Sequence, residues 1–344
     1  MQNWHGKPYY SLDAYCKNTF GHKCYKIALN AHMTCPNRDG RLDTRGCIFC
    51  SAGGSGEFAA DLPGRNVFGV EADIGHQIQS GLSLCGDKKF GDSFIAFFQA
   101  YTNTYAPVEY LEKVYRSALN HPKVCGISVA TRPDCLKEAI LDLLFRLKGE
   151  YPGKFIWVEL GLQTVHPATA EYIRRGYPLS VFEKAFRNLS KIRIPVIVHV
   201  ILGLPGEDEK MQLTTVDYLS RLKPFGVKLQ LLHVLKDTDL ADDYFAGKFT
   251  VLTKDAYLDL LISCLSRLDP EIVIHRLTGD GRKQDLIAPD WSRNKRDVLN
   301  SLHRLMREQG RQQGDRLPCS AVGRTRQTAG DRLPAACENK IQVE

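Results

Sequence analysis

Between residues 24 and 235 of this 344-residue chain, strand-like and helix-like stretches alternate, and that alternation leaves few folds open. Apolar, β-branched runs at 24–30, 93–101, 124–131, 155–163, 196–202 and 227–235 read as strands. Amphipathic stretches at 70–84, 108–119 (opened by Pro107), 136–148, 180–192 and 207–222 read as helices, and another follows at 254–267. Strand, helix, strand in repetition means right-handed crossovers between parallel strands. The expectation is an α/β fold, a partial (β/α)6 barrel, with a doubly wound open sheet as the alternative. Residues 1–23 form an N-terminal extension, 24–270 the barrel and 271–308 a C-terminal α/β extension. That extension holds a strand at 271–277, a Gly-rich turn and a helix at 295–307. Residues 309–344, poor in large apolar side chains and repeating Gly-Asp-Arg-Leu-Pro, read as a disordered tail whose Cys319 and Cys337 are not ligands.

Side chains alternate between the faces of a strand. In Ile156-Trp157-Val158-Glu159-Leu160-Gly161-Leu162-Gln163 one face is wholly aliphatic and suits packing under outer helices. The other carries Trp157, Glu159 and Gln163 into the barrel. The same parity turns Lys26, Asn30, Gln99, Tyr101, Ser128, Arg132 and His199 inward. Ordinary β/α barrels fill their centres with branched apolar side chains. Lys26 and Ser128 read as satisfied buried polar groups, but a polar lumen with so many members near strand C-termini points to a ligand site.

After the first strand come Cys35, Cys47 and Cys50, the last two separated by Ile48-Phe49. Thiols so gathered suit a soft metal centre. A four-iron cluster held by three cysteines leaves one iron free to bind something else. His32 with the three cysteines equally fits a structural zinc site, and three unrelated thiols remain a further reading. The eleven cysteines are odd in number and scattered, which fits a reducing, cytoplasmic setting better than a disulfide framework. No apolar run approaches the ~20 residues of a membrane helix, and the N-terminal residues lack the apolar core of a signal peptide. A net charge of +7 permits an RNA partner without requiring one.

Phe49 before the third cysteine matches the Cys-x-aromatic-Cys ending of the radical-SAM signature, and the chain resembles that superfamily. Thr34-Cys35-Pro36-Asn37-Arg38-Asp39-Gly40, Gly46-Cys47-Ile48-Phe49-Cys50, the stretch 99–107 and His275-Arg276-Leu277-Thr278-Gly279-Asp280-Gly281 are similar to the YhcC/YtqA-like subgroup, related to the elongator-type branch. The spacing departs from the common Cys-x3-Cys-x2-Cys, being Cys-x11-Cys-x2-Cys, and Arg282 stands where the subgroup has Pro. The resemblance implies a [4Fe-4S] cluster on Cys35, Cys47 and Cys50. It implies S-adenosylmethionine (SAM) on the fourth iron, reductively cleaved to a 5′-deoxyadenosyl radical. It places Phe49, Gln99, Tyr101, Glu159, Gln163, His199 and Gly203 around SAM. Gln99 and Tyr101 would meet its amino group, Glu159 and Gln163 its ribose or carboxylate, and the Gly203-Leu204-Pro205-Gly206-Glu207 turn its adenine. No catalytic acid or base is singled out.

The subgroup has been linked to wobble-uridine modification in tRNA, carboxymethylaminomethyl to aminomethyl, with a reductant such as flavodoxin or ferredoxin. A small-molecule substrate, or a zinc-stabilised, non-catalytic RNA-binding or scaffold role, are the alternatives. Arg174, Arg175, Lys184, Arg187, Lys191 and Arg193 could touch phosphates, or form a solvated face. The metal readings diverge at His32→Ala: a zinc site built on His32 loses its metal, whereas an iron–sulfur cluster retains full iron and sulfide, read by metal analysis of the purified variant.

Overall fold

The computed structural model describes residues 4–54, 56, 69–84, 93–279 and 281–317. Its elements in chain order are α1 (Leu12–Phe20), β1 (Tyr25–Leu29), α2 (Gly69–Leu84), β2 (Phe94–Phe98), α3 (Val108–Leu119), β3 (Val124–Thr131), α4 (Glu138–Glu150), β4 (Phe155–Gln163), α5 (Pro167–Tyr172), α6 (Leu179–Lys191), β5 (Val196–Leu202), α7 (Glu209–Leu222), β6 (Gly226–Leu231), β7 (Val234–Leu235), α8 (Asp239–Phe245), α9 (Lys254–Arg267), β8 (Val273–Arg276), β9 (Leu286–Ala288) and α10 (Lys295–Glu308).

Seven strands form one parallel sheet in the order β1-β2-β3-β4-β5-β6-β8, curled into a half-barrel. Spatial order follows chain order throughout, so there is no reversal point of the kind a doubly wound sheet requires. The expected strand at 227–235 divides into β6 and β7, and β7 leaves the barrel to pair antiparallel with β9. The strand expected in the C-terminal extension, β8, joins the sheet beside β6 as its seventh member.

The aliphatic faces build the main core. Ile156, Val158, Leu160 and Leu162 of β4 and Val196, Val198, Val200 and Leu202 of β5 are buried together with the inner faces of α3, α4, α6 and α9. The lumen face is layered differently. At its N-terminal end Ile95, Phe155, Trp157 and Ile197 form an apolar floor, closed from below by Leu12, Tyr15, Cys16 and Phe20 of α1. The Trp157 ring stacks on Phe155 at 3.9 Å between centroids, meets Tyr15 edge-on and lies tilted against Phe225.

Helix α1 falls inside the expected N-terminal extension. Ser11 caps it by accepting from the Ala14 N–H, and Gly21 ends it at a left-handed φ of 78°. Its approach is fastened to the far edge of the sheet, where the Ile274 N–H donates to the Tyr10 carbonyl at 2.7 Å.

Residues 309–317 correct the expected start of the tail. Gln313 is buried, accepts from the Tyr10 N–H and donates to the Asp269 and Ile272 carbonyls. The N–H groups of Gly314 and Arg316 donate to Leu265 and Ser266 at the end of α9. A side-chain amide that satisfies three backbone groups explains why a polar segment folds back here. The rest of the expected tail, 318–344, lies outside the described residues.

Replacing the buried Trp157 by Ala should cost about 3–5 kcal/mol, since it removes the centre of the floor. Urea unfolding measures it; a loss under ~1 kcal/mol would show that the floor does not depend on this ring.

Candidate functional site

Above the floor, five strands bring their inward side chains to one carboxylate. Glu159 is fully buried. Its Oε1 accepts from Lys26 Nζ of β1 at 2.7 Å and Ser128 Oγ of β3 at 2.6 Å. Its Oε2 accepts from His199 Nε2 of β5 at 2.6 Å and is ion-paired with Lys228 of β6. Both ammonium groups also lie over the Phe97 ring. Burial raises the Glu159 carboxyl, but Lys228, Lys26 and His199 outweigh it and hold its pKa well below the usual range. Lys26 and Ser128 are the satisfied polar groups that strand parity suggests.

A cavity opens over this cluster and takes in all three cysteines. The eleven residues between Cys35 and Cys47 fold on themselves: the Arg38 and Asp39 N–H groups donate to the Cys35 carbonyl, Leu42 to Pro36, and Gly46 to Asn37. Arg38 turns into this loop and donates to the Cys50 and Ser51 carbonyls at 2.7 and 2.6 Å. A Cβ on Gly46 would lie 2.8 Å from its Nε, and Gly46 has a φ of 80°, so glycine is needed there twice over. Asn37 is buried, donating to the Arg174 carbonyl and to Cys47 Sγ at 3.4 Å. Between Cys47 and Cys50, Ile48 anchors the loop: it is buried against Ile173, Ile201 and Leu240, and its N–H donates to the Ile173 carbonyl. The long gap is therefore a folded platform presenting thiols to the cavity.

Of the other residues expected around SAM, Phe49, Gln99, Tyr101, Glu159, Gln163 and His199 all line the cavity. Gly203 is not among the lining residues; it ends β5 with a φ of 85° and its N–H donates to Gln212. Glu159 meets the chain's own donors on both oxygens, so its main work is internal. Tyr101 and Gln163 hold left-handed backbone conformations, φ 59° and 64°, at the strand ends. The buried Gln163 Oε1 has no hydrogen-bond partner among the described residues. An orphaned amide oxygen on the cavity wall suits a ligand that brings donors, as the amino and ribose groups of SAM do.

Burial, with the neighbouring Cys50 and Cys35, pushes the Cys47 thiol up to about 12, against Arg132 and Asn37. A metal bound at Cys47 would have to displace that proton. Among the described residues no three His, Cys, Asp or Glu side chains are gathered around a single ion's position. The thiols of a four-iron cluster would each bind a different iron and not share one ion. His32, the fourth ligand of the zinc reading, instead pairs with Asp73 at 2.7 Å and does not line the cavity.

The lining also includes Arg38, Tyr177, Lys228, Gln230, His233 and Arg276, none of which the sequence marks as a site residue, and Arg175. Alternation along β6 carries the signal for Lys228 and Gln230, since Val227, Leu229 and Leu231 belong to the core. Arg175, a candidate phosphate contact by sequence, is instead buried and donates to the Leu162, Thr164 and Tyr177 carbonyls. Arg174 is paired with Asp239 at 2.6 Å, while Lys184, Arg187, Lys191 and Arg193 are exposed. The turn after β8 presses on His233: a Cβ on Gly279 would lie 2.2 Å from its ring, and the Gly281 N–H donates to its Nδ1. Asp280 lies outside the described residues.

A curled parallel sheet with three thiols over a polar lumen defines the class of radical enzymes that use an iron–sulfur cluster and SAM. The chain belongs to the radical SAM superfamily, which it matches over residues 44–219, followed by the Radical_SAM C-terminal domain over 224–308. Cys47 and Cys50 fall inside the first match and Cys35, across the long gap, just before it. The chain is 40% identical to YtqA of Bacillus subtilis (strain 168), over 90% of its own length and 92% of the relative's. It is 32% identical to YhcC of Escherichia coli (strain K12), over 85% and 90%. Elongator complex protein 3 of Drosophila melanogaster is 22% identical, over 74% of this chain and 51% of that one. In fold it is similar to the archaeal Methanocaldococcus infernus Elp3, with a TM-score of 0.61 at 15% identity, covering 84% of this chain and 64% of that protein. Radical SAM enzymes use a [4Fe-4S] cluster and SAM, and these are this chain's cofactors. No helix among the described residues is long and apolar enough to cross a membrane.

Burial, then the Lys228 ammonium, holds His199 down at about 4 despite its bond to Glu159. The unfolded chain therefore binds a proton below ~6.5 that the folded chain refuses. This residue should cost stability progressively as pH falls from ~6.5 to about 4, by roughly 3 kcal/mol in all. In His199→Gln the melting temperature should vary less across that window; an unchanged pH profile would refute the assignment.

Proposed function

We propose that this radical SAM enzyme modifies the wobble uridine of tRNA, removing the carboxymethyl part of a carboxymethylaminomethyl group to leave an aminomethyl amine. Cys35, Cys47 and Cys50 are the proposed cluster ligands, with Phe49, Gln99, Tyr101 and Gln163 around SAM and a flavodoxin or ferredoxin as reductant. The observation that carries the chemistry is the meeting of all three thiols with the unsatisfied Gln163 amide in one cavity. The substrate rests on the likeness to YtqA and YhcC, supported by the more distant likeness to elongator complex protein 3.

Held by Cys35, Cys47 and Cys50, the cluster would supply one-electron reduction of SAM and with it a radical able to take hydrogen from unactivated carbon. The chain's contribution is placement and shelter. The Arg38-braced loop fixes the thiols, and the floor beneath Glu159 closes the N-terminal end of the lumen against water. Gln163 offers its acceptor to SAM from a backbone already locked by the strand end.

The test is anaerobic reconstitution with iron and sulfide, then reductant, SAM and tRNA bearing the carboxymethylaminomethyl group. About four irons per chain, 5′-deoxyadenosine and the aminomethyl nucleoside by mass spectrometry are expected. Cys47→Ala should reduce both products at least a hundredfold while the chain stays folded. A colourless protein with one zinc and intact SAM overturns the cluster assignment; SAM cleavage with unaltered tRNA overturns the substrate.

A further inference from the structure

We propose that Arg38 and Arg175 are fixed counter-charges to the cluster on Cys35, Cys47 and Cys50 and raise its reduction potential. The inference rests on the cavity being the radical-SAM site and deepens it by naming residues that set how readily the cluster takes an electron. Both guanidinium groups line the cavity together with the three cysteines. Arg175 is only 3% exposed, and Arg38 is half-buried. A cation taken out of water is costly unless an anion accompanies it. Among the described residues neither guanidinium is ion-paired with a carboxylate, whereas Arg132 beside them has Asp134.

The partners of both groups are neutral. Arg38 donates to the Cys50 and Ser51 carbonyls at 2.7 and 2.6 Å. Arg175 donates to the carbonyls of Leu162, Thr164 and Tyr177, and its guanidinium lies over the Tyr177 ring, 5.0 Å from the centroid. Carbonyl oxygens hold a guanidinium in place and leave its net charge intact. That charge stands beside the thiols: Arg38 lies against the Cys50 thiol with Cys35 nearby, and Arg175 has Cys47 nearby. Burial pushes the Tyr177 phenol up, so the ring between Arg132 and Arg175 stays neutral. Thiolates holding a cluster bring negative charge to this place, and reduction adds one electron to it. The potential of such a centre follows net charge, hydrogen bonds to sulfur and exposure. Fixed cations in a poorly solvated site therefore favour the reduced state. Asn37, which donates to Cys47 Sγ at 3.4 Å, acts in the same direction.

The experiment is an anaerobic redox titration of the reconstituted full chain without SAM, followed by electron paramagnetic resonance of the reduced cluster. At the parent's midpoint, Arg38→Gln and Arg175→Gln should each lower the reduced-to-oxidised ratio about tenfold, which is 59 mV for a one-electron couple. Arg38→Lys and Arg175→Lys keep the charge and should stay within about threefold of the parent. Arg38→Gln decides the matter if the more deeply buried Arg175→Gln fails to fold, as checked by thermal melting. The proposal falls if the glutamine variants keep the parent's potential, or if the lysine variants shift as far as they do, which would make the effect one of loop geometry. It also falls if no variant takes up iron, since the two residues are then braces alone. Weakened SAM binding in equilibrium dialysis with an unshifted potential would assign the guanidinium groups to the carboxylate of SAM instead. A parent chain that takes up no cluster overturns this inference together with the cluster assignment; a loaded parent with unshifted variants overturns this inference and leaves that assignment standing.

Discussion

The buried carboxylate of Glu159 is the constraint on which the lumen depends. A lone ion at that depth would be prohibitive, and its partners come from four other strands, β1, β3, β5 and β6. Those partners meet at one level only when every strand between them is in register. A slip by one residue would turn a lysine or the histidine out of the lumen and leave the carboxylate unpaired. Buried ion clusters add little net stability, yet this one penalises wrong registers heavily. The floor of Phe155 and Trp157, sealed by α1, keeps water from the lower side and makes that penalty steeper.

The same logic, built from backbone instead of charge, governs the cysteine loop. A short gap between ligands restricts the chain by its length alone. An eleven-residue gap must be held by its own bonds, and the inward guanidinium of Arg38 with the buried amide of Asn37 does so. Ordering entropy is thereby met during folding of the chain and not left for the cluster to offset. The hydrogen bond from Asn37 to Cys47 and the carbonyl-bound Arg175 also set a donor and positive charge beside the Cys47 sulfur.

Legibility followed periodicity. Strands β3, β4 and β5 and helices α3 and α9 have the bounds that apolar alternation indicates, because each buries a full aliphatic face in a single environment. Helix α1 escaped because it packs under the lumen, not against the outer layer; its caps, Ser11 and Gly21, were visible signals left unused. The split of 227–235 into β6 and β7 is a change of pairing partner, which an unbroken apolar run does not show. Lumen parity was readable for Glu159 and His199, and the same reading applied to β6 reaches Lys228. Arg175 and Gln313 could not be read: each is a polar side chain buried by satisfying backbone groups distant in sequence or in the next turn, and no local pattern announces that.

Apart from Cys35 and Arg38, which precede both, the two matched regions divide the cavity's lining between them. Residues 44–219 carry Cys47, Cys50, Tyr101, Gln163 and the Glu159–His199 pair, whereas Lys228, His233 and Arg276 lie within 224–308. The second region shares one sheet with the first, because its β6 pairs with β5, and β8 beside β6 is in turn bonded to the N-terminal residues at Tyr10. Its turn after β8 closes over His233 only because Gly279 has no side chain, and the ring in turn donates or accepts at Ser292 near α10. Such an arrangement separates the β6–β8 side of the cavity from the loop that presents the thiols. Lys228 and Arg276 meet as Cα partners at the sheet edge, where β8 is only four residues long and the pairing with β6 is interrupted by a register shift that a bulge there permits.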